Sequence, residues 1–310
     1  MKSHPASSHP LAAFAVYFLG VIVLACLLSP PLYWAGDALA GRGVLPFLHG
    51  FPFHRYFSRC LQISALVLLF PAFRLAGIRG LDALGIGRNP AWKRDLAAGF
   101  VIAFVPVALL AAAYIGCDVY SLKKEVAATG ILRILSTAAA VALLEEFLFR
   151  GVLFGLCLRV LAPFRAALVS SFVFGLVHFL RVAKPAGEVP VDWLSGFAQL
   201  PLAFSSAPPW PLFGWGFLSL FLAGMILAFA TLRTRSLFLA IGLHAGWIFG
   251  QQGLQLIAKY HVKPPAALLP WIGQNVVSGA VPTGIVPALV LLATAGVIAL
   301  FFRYAKRPSS

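Results

Sequence analysis

Charge is what this sequence has least of. Asp, Glu, Lys and Arg together make up 11% of its 310 residues, where a soluble domain carries about 25%. Acidic residues are scarcest, nine against 24 basic ones, for a formal net charge of +15. Cysteine is also sparse. Cys26, Cys60, Cys117 and Cys157 stand far apart and form no C-x-x-C, which argues against a zinc knuckle or a dithiol redox motif. All four read as small buried apolar residues. No internal repeat, low-complexity tract or second domain is visible, so residues 1–310 read as a single membrane domain. The basic residues lie singly or in pairs between apolar runs. That pattern argues against a nucleic-acid partner and for loop charge that orients helices and meets anionic headgroups.

What is abundant is apolar surface. The chain is 61% hydrophobic with a mean hydropathy of +0.92, more than one globular core can bury, so the lipid bilayer is the second apolar solvent. The expectation is an all-α, multi-pass integral membrane protein of about eight spans, of the cytoplasmic membrane if the source is bacterial. The spans are expected near Leu11–Tyr33, Leu61–Leu75, Leu96–Cys117, Ile131–Leu161, Ala166–Leu180, Leu212–Leu232, Ser236–Ala258 and Ile285–Phe302. The first is longer than the apolar core of a signal peptide and is preceded by a lone Lys2, so it reads as a retained span. The fourth, if wholly helical, would run about 46 Å and would have to tilt or project into water. With eight crossings, thirteen basic residues fall on the side of the N-terminus and ten on the other, a lean toward cytoplasmic termini. Residues 181–211 read as an interfacial loop with a short helix at VDWLSGFAQL.

Against that background the stretch ALLEEFLFRGVLFG at 142–155 stands out, because it places Glu145, Glu146 and Arg150 inside an apolar run. A charged side chain at mid-bilayer costs about 2.5–3.5 kcal/mol even on lenient scales, so three of them must face protein or a water-filled cavity. Glu146 and Arg150 are four residues apart and share a helix face, so they can pair. Glu145 points elsewhere and is left free for chemistry. The bland alternative is that all three only tie helices together. Two later spans carry one histidine each: His178 follows Phe174 by one turn, and His244 is followed by Gln251 two turns on. A glutamate with two histidines can activate a water or bind a metal. The pairs Gly151/Gly155 and Gly242/Gly246 have the spacing that lets helices approach closely in lipid.

At these residues the chain resembles the CPBP family, the CAAX proteases and bacteriocin-processing enzymes also called Abi. Glu145-Glu146-x-x-x-Arg150 matches its E-E-x-x-x-R motif, Phe174-x-x-x-His178 its F-x-x-x-H, and His244 the histidine of its last motif, over about residues 130–255. The resemblance implies an intramembrane endopeptidase that hydrolyses a peptide bond of a membrane-associated protein or peptide, lipidated ones included. It implies that Glu145 activates the water, that Glu146 and Arg150 support it, and that His178 and His244 are catalytic or metal-binding. Two routes stay open: glutamate and histidine alone, or a zinc ion held by Glu145, His178, His244 and water. One departure is Ile248, which stands where the family has Asn or Asp, an amide that could donate to the oxyanion. Trp247, Gln251 or a backbone N–H could take its place. A non-catalytic scaffold or immunity-type relative is the alternative that Ile248 raises. A proton-coupled transporter is the other, and the missing repeat speaks against it.

Overall fold

The computed structural model describes residues 10–75, 89–179, 190–205, 210, 212–260, 271–277 and 281–304. Of the residues used to orient the spans, Lys2, Arg79, Arg88, Arg181, Lys184, Lys263, Lys306 and Arg307 lie outside the described set, as do 181–189 of the expected loop. The chain divides into two compact units, one of 1–79 with 179–207 and a larger one of 80–178 with 208–310.

The smaller unit is built from α1 (Pro10–Gly41), a 3-10 turn (Pro46–Leu48), α2 (Phe53–Leu75) and α7 (Ser195–Ser205). Helices α1 and α2 run antiparallel. The Tyr17 hydroxyl donates to the Ala65 carbonyl at 2.9 Å, and Ala25, Cys26, Phe57 and Cys60 form the core between them. Helix α2 starts eight residues before its expected apolar boundary. His54, Arg55 and Arg59 lower the hydropathy of its first two turns without breaking the helix. The short helix expected in the 181–211 loop is α7. Asp192 organises its entry, its Oδ1 accepting the Leu194 N–H at 2.9 Å and the Ser195 hydroxyl at 2.8 Å. Those bonds, the serine's first, hold the Asp192 carboxyl below its ordinary range.

The larger unit contains α3 (Trp92–Gly116), α4 (Ala128–Glu146), a π-helical stretch (Phe147–Phe154), α5 (Gly155–Cys157), α6 (Pro163–Val177), α8 (Leu212–Thr234), α9 (Phe238–Ile257) and α10 (Ile285–Tyr304). Two short antiparallel ribbons accompany them, β1 (Tyr120–Leu122) with β2 (Ala258–Tyr260) and β3 (Gly273–Val277) with β4 (Val281–Thr283). All eight expected segments are therefore helical. By length and composition, however, only five helices among the described residues can cross a bilayer: α1, α2, α3, α8 and α10. Helix α6 has 15 residues, about 22 Å at 1.5 Å per residue, and is short for a 30 Å core. Helix α9 carries His244, Gln251, Gln252 and Gln255 and buries eleven of its residues. The fourth segment is helical from Ala128 to Cys157, but it changes to π geometry directly after Glu146 and ends in a turn after Cys157.

Helices α3 and α9 run parallel in close contact, and glycine makes this possible. A Cβ on Gly242 would meet the Leu96 carbonyl and Phe100 N, and one on Gly246 would meet the Phe100 carbonyl and Phe104 N. The expected close approach is real for that pair. It does not occur at Gly155, where a Cβ would meet nothing within 4 Å. Helix α4 packs antiparallel along α9, with Ala138 and Ala142 against Ile241 and Ala245 and Gly130 under Leu256. Helices α6 and α8 are likewise antiparallel, Gly175 meeting Phe217 and Gly224 meeting Ser171. Of the cysteines, Cys26, Cys60 and Cys157 are buried as expected, whereas Cys117 is exposed at the end of α3.

Gly246→Leu should cost about 1–3 kcal/mol of stability by overpacking against α3. Gly253→Ala, where a Cβ has open space, should gain about 0.5–1 kcal/mol as a helix-interior Gly→Ala change. Thermal unfolding of both variants in detergent checks this. Equal effects at the two positions would refute the close packing.

Candidate active site

Four elements bring the polar residues of the apolar runs together. Glu145 and Glu146 end α4, Arg150 lies in the π-helical stretch, His178 follows α6, and His244 sits in the second turn of α9. A π turn closes i→i+5 hydrogen bonds and is frequent at functional sites. Here it follows directly on the acidic pair.

Glu146 is fully buried, and its Oε1 accepts two charge-assisted bonds, from Arg150 Nη1 at 2.9 Å and from His244 Nδ1 at 2.7 Å. The pairing of Glu146 with Arg150 is the one its four-residue spacing suggests; the bond to His244 is one that spacing could not reveal. Arg150 is held further by the Gly224 carbonyl at 3.4 Å and by the Phe174 ring, 4.3 Å from the guanidinium carbon to the centroid. Phe174 also stands edge-on to His178, with centroids 4.5 Å apart, and touches His244 at 5.9 Å. It is the common wall of the cluster.

The hydrogen bonds fix the histidine tautomers. Nδ1 of His244 faces a carboxylate oxygen, and Nδ1 of His178 faces the Phe174 carbonyl at 2.7 Å. Both partners only accept, so each Nδ1 carries the hydrogen and each neutral ring presents a bare Nε2 lone pair. Both lone pairs turn toward one atom. Glu145 Oε2 lies 3.6 Å from His178 Nε2 and 3.7 Å from His244 Nε2. Those separations exceed a direct hydrogen bond, and Glu145 Oε2 is buried with no hydrogen-bond partner among the described residues. Three acceptors around one point suit a small donor seated between them, such as a water. The donor types are also those zinc takes. Among the described residues no group of three or more His, Cys, Asp or Glu side chains stands at metal-binding spacing.

Glu145, His178 and His244 open onto a cavity of about 310 Å³. Its walls come from α3, α4, α6, α8, α9 and α10, and most are apolar, among them Val107, Leu227, Val290 and Leu291. Ile248 lines it too, so the residue in the family's amide position faces the site and offers no donor. Three other donors on the same cavity have no partner in the protein: Trp247 Nε1, Gln251 Nε2 and Ser219 Oγ. Trp247 and Gln251 were legible as substitutes from their spacing to His244. Ser219 was not. A single serine in FLSLFLAG gives no periodic signal, and only the packing of α8 points it inward.

Residues 127–250 match the family model described as type II CAAX prenyl endopeptidase Rce1-like. No curated protein and no solved structure matches the chain. The match begins just before α4 and ends within α9, so it spans Glu145, Glu146, Arg150, His178, His244 and Ile248 and stops one residue short of Gln251. That segment, 124 of the 310 residues, is similar to the domain of the type II CAAX prenyl endopeptidases.

Removing one member of a buried ion pair leaves an uncompensated charge and typically costs about 3–5 kcal/mol. Arg150→Met should lower stability by that amount, and adding Glu146→Gln should restore much of it, because Gln can still accept from His244 Nδ1. Melting curves of the single and double variants test the coupling. A double variant no more stable than Arg150→Met would mean that the pair is not what holds this region.

Proposed function

We propose that the protein is an intramembrane endopeptidase that cleaves a peptide bond of a membrane-associated protein or peptide, with Glu145 as the base that activates water. The observation that carries this reading is the convergence of two bare histidine Nε2 atoms on the unpartnered Glu145 Oε2 at the wall of a largely apolar cavity.

The chemistry follows from the hydrogen bonds. A water between Glu145 and the histidines gives one proton to Glu145 Oε2 as its oxygen forms a bond to the substrate carbonyl carbon. The carbonyl oxygen becomes an oxyanion, and Trp247 Nε1–H and the Gln251 amide are the donors to receive it. Each such donor is worth about 10²–10³ in rate. When the intermediate collapses, the C–N bond breaks and the leaving amine takes the proton from Glu145, directly or through His244 Nε2. His244 suits that relay because Glu146 holds its Nδ1–H and stabilises the imidazolium that forms when Nε2 is protonated, the role the buried aspartate plays in a serine-protease triad. His178 is backed only by a neutral carbonyl. It serves to position the water.

Membrane-reconstituted protein should cleave a membrane-bound peptide substrate. Glu145→Gln should abolish turnover while leaving the melting temperature within a few degrees of wild type. Cells carrying Glu145→Ala in place of the wild type should accumulate a precursor detectable by proteomics. No cleavage by the wild type across a broad substrate set would favour the non-catalytic scaffold.

Ile248→Asn separates the two readings further. In an active enzyme it should keep or raise kcat, because it adds a donor beside the oxyanion and removes none. A loss of about tenfold or more in kcat, with the fold intact, would show that the apolar side chain itself is needed there.

A further inference from the structure

A second, much smaller cavity lies beside the first. Its volume is about 10 Å³, and it is lined by Val107, Leu110, Tyr114, Tyr120, Gln251 and Gln255 among others. Val107, Leu110 and Gln251 line both cavities, so the two share a wall. Two buried polar atoms of its lining residues have no partner among the described residues, Tyr114 Oη and Gln251 Nε2. Their side chains are only 5% and 8% exposed. A third orphan, Tyr260 Oη, stands next outward, where the Tyr260 ring meets Tyr120 edge-on at 5.1 Å and Tyr120 stacks on Tyr114 at 6.0 Å. A buried polar group without a partner costs about 1–3 kcal/mol. Three orphans in one corner point to a ligand that satisfies them. About 10–15 Å³ is the room one water needs, and a water wants two to four polar partners.

The position of this corner gives it a use. It lies at the end of the larger unit where Cys117, Asp118, Lys124, Glu125 and Lys259 are exposed and where Lys123 Nζ donates to the Gln255 carbonyl. Along the middle of α3 the exposed residues are instead apolar, Val101, Val105 and Leu109, as lipid contact requires. Hydrolysis consumes one water per turnover. A peptide filling the larger cavity would obstruct the path by which it entered.

We propose that Tyr114 and Gln251 hold a structural water, with Tyr260 next outward, and that this site passes water from the β1–β2 end into the hydrolytic cavity while substrate occupies it. The consequence for turnover rests on the peptidase reading; the existence of the water site does not.

The test uses the full-length Glu145→Ala protein in lipid nanodiscs, exposed to pulsed X-ray radiolysis in H2 18O. Radiolysis converts a bound water into hydroxyl radical, which hydroxylates the ring beside it, so Tyr114 should take up 18O-hydroxyl at least about tenfold faster than Phe57, which is buried in the core of the smaller unit. Ala111 also lines the small cavity. Ala111→Leu fills the room and should bring Tyr114 labelling down to the Phe57 rate, while Ala111→Ser leaves the room, should keep the label and controls for folding. In the otherwise wild-type protein, Ala111→Leu and Tyr114→Phe should each lower kcat by about tenfold, one hydrogen bond's worth, with KM unchanged. Tyr114 labelled no faster than Phe57 would overturn the proposal and leave the peptidase reading untouched. A labelled Tyr114 in a protein that cleaves nothing would sustain the water site and remove its catalytic role. Normal kcat in a folded Ala111→Leu that has lost the label would overturn the delivery step.

Discussion

One carboxylate oxygen holds the larger unit's polar interior together. Glu146 Oε1 takes a hydrogen from Arg150 and another from His244, and so ties the end of α4, the π-helical stretch and the start of α9 at a single atom. Burying these groups costs solvation that their mutual attraction only partly returns, so the arrangement is a poor device for stability. It is a good device for geometry. The carboxylate sets the tautomer of His244, the tautomer sets the direction of its bare Nε2, and that lone pair can then meet Glu145 Oε2 together with the one from His178. Neither histidine could present Nε2 in this way if its Nδ1 faced a donor.

The constraint works only if α9 is held close and in register, and this is where glycine enters. Gly242 and Gly246 place the α9 backbone directly against α3, so that face of α9 has no room for side chains. The cavity-facing residues must then stand on another face, and they do: Trp247 and Ile248 lie three and four residues after His244, Gln251 lies four and three residues after them, and all four line the cavity. A helix packed on one side by glycine and on the other by α4 needs little lipid contact. This explains how it carries a histidine and several glutamines without being apolar enough to span the bilayer on composition alone.

Much of this was legible beforehand, for a physical reason. In an apolar chain an ionisable residue is a rare and costly event, so Glu145, Glu146, Arg150, His178 and His244 announced themselves, and the i,i+4 spacing announced the Glu146–Arg150 pair. The spans were legible as apolar runs, though the start of α2 was placed too late because its first turns are basic and amphipathic. Three things lay beyond the sequence. The π geometry after Glu146 leaves no trace in hydropathy, because both kinds of helix present an apolar run. The Glu146–His244 bond joins residues 98 positions apart and depends on packing alone. Ser219 and the tyrosines at 114, 120 and 260 have no periodic neighbours to mark them; only the fold assembles them.

The same reasoning bears on Ile248. An amide at that position would be a donor that a protein usually satisfies in its resting state, by a neighbouring carbonyl or carboxylate, and must then release. Here the position is apolar, and the flanking donors, Trp247 Nε1 and Gln251 Nε2, are buried and unpartnered in the protein. A donor whose protein partner is missing in the ground state gains most when negative charge appears beside it, and an interaction that strengthens only in the transition state is the kind that raises kcat. The departure from the family pattern is therefore compatible with turnover through a relocated donor set. What it demands in return is that Trp247 and Gln251 stay on the stripe that His244 begins, and the glycine contact between α9 and α3 is what keeps them there.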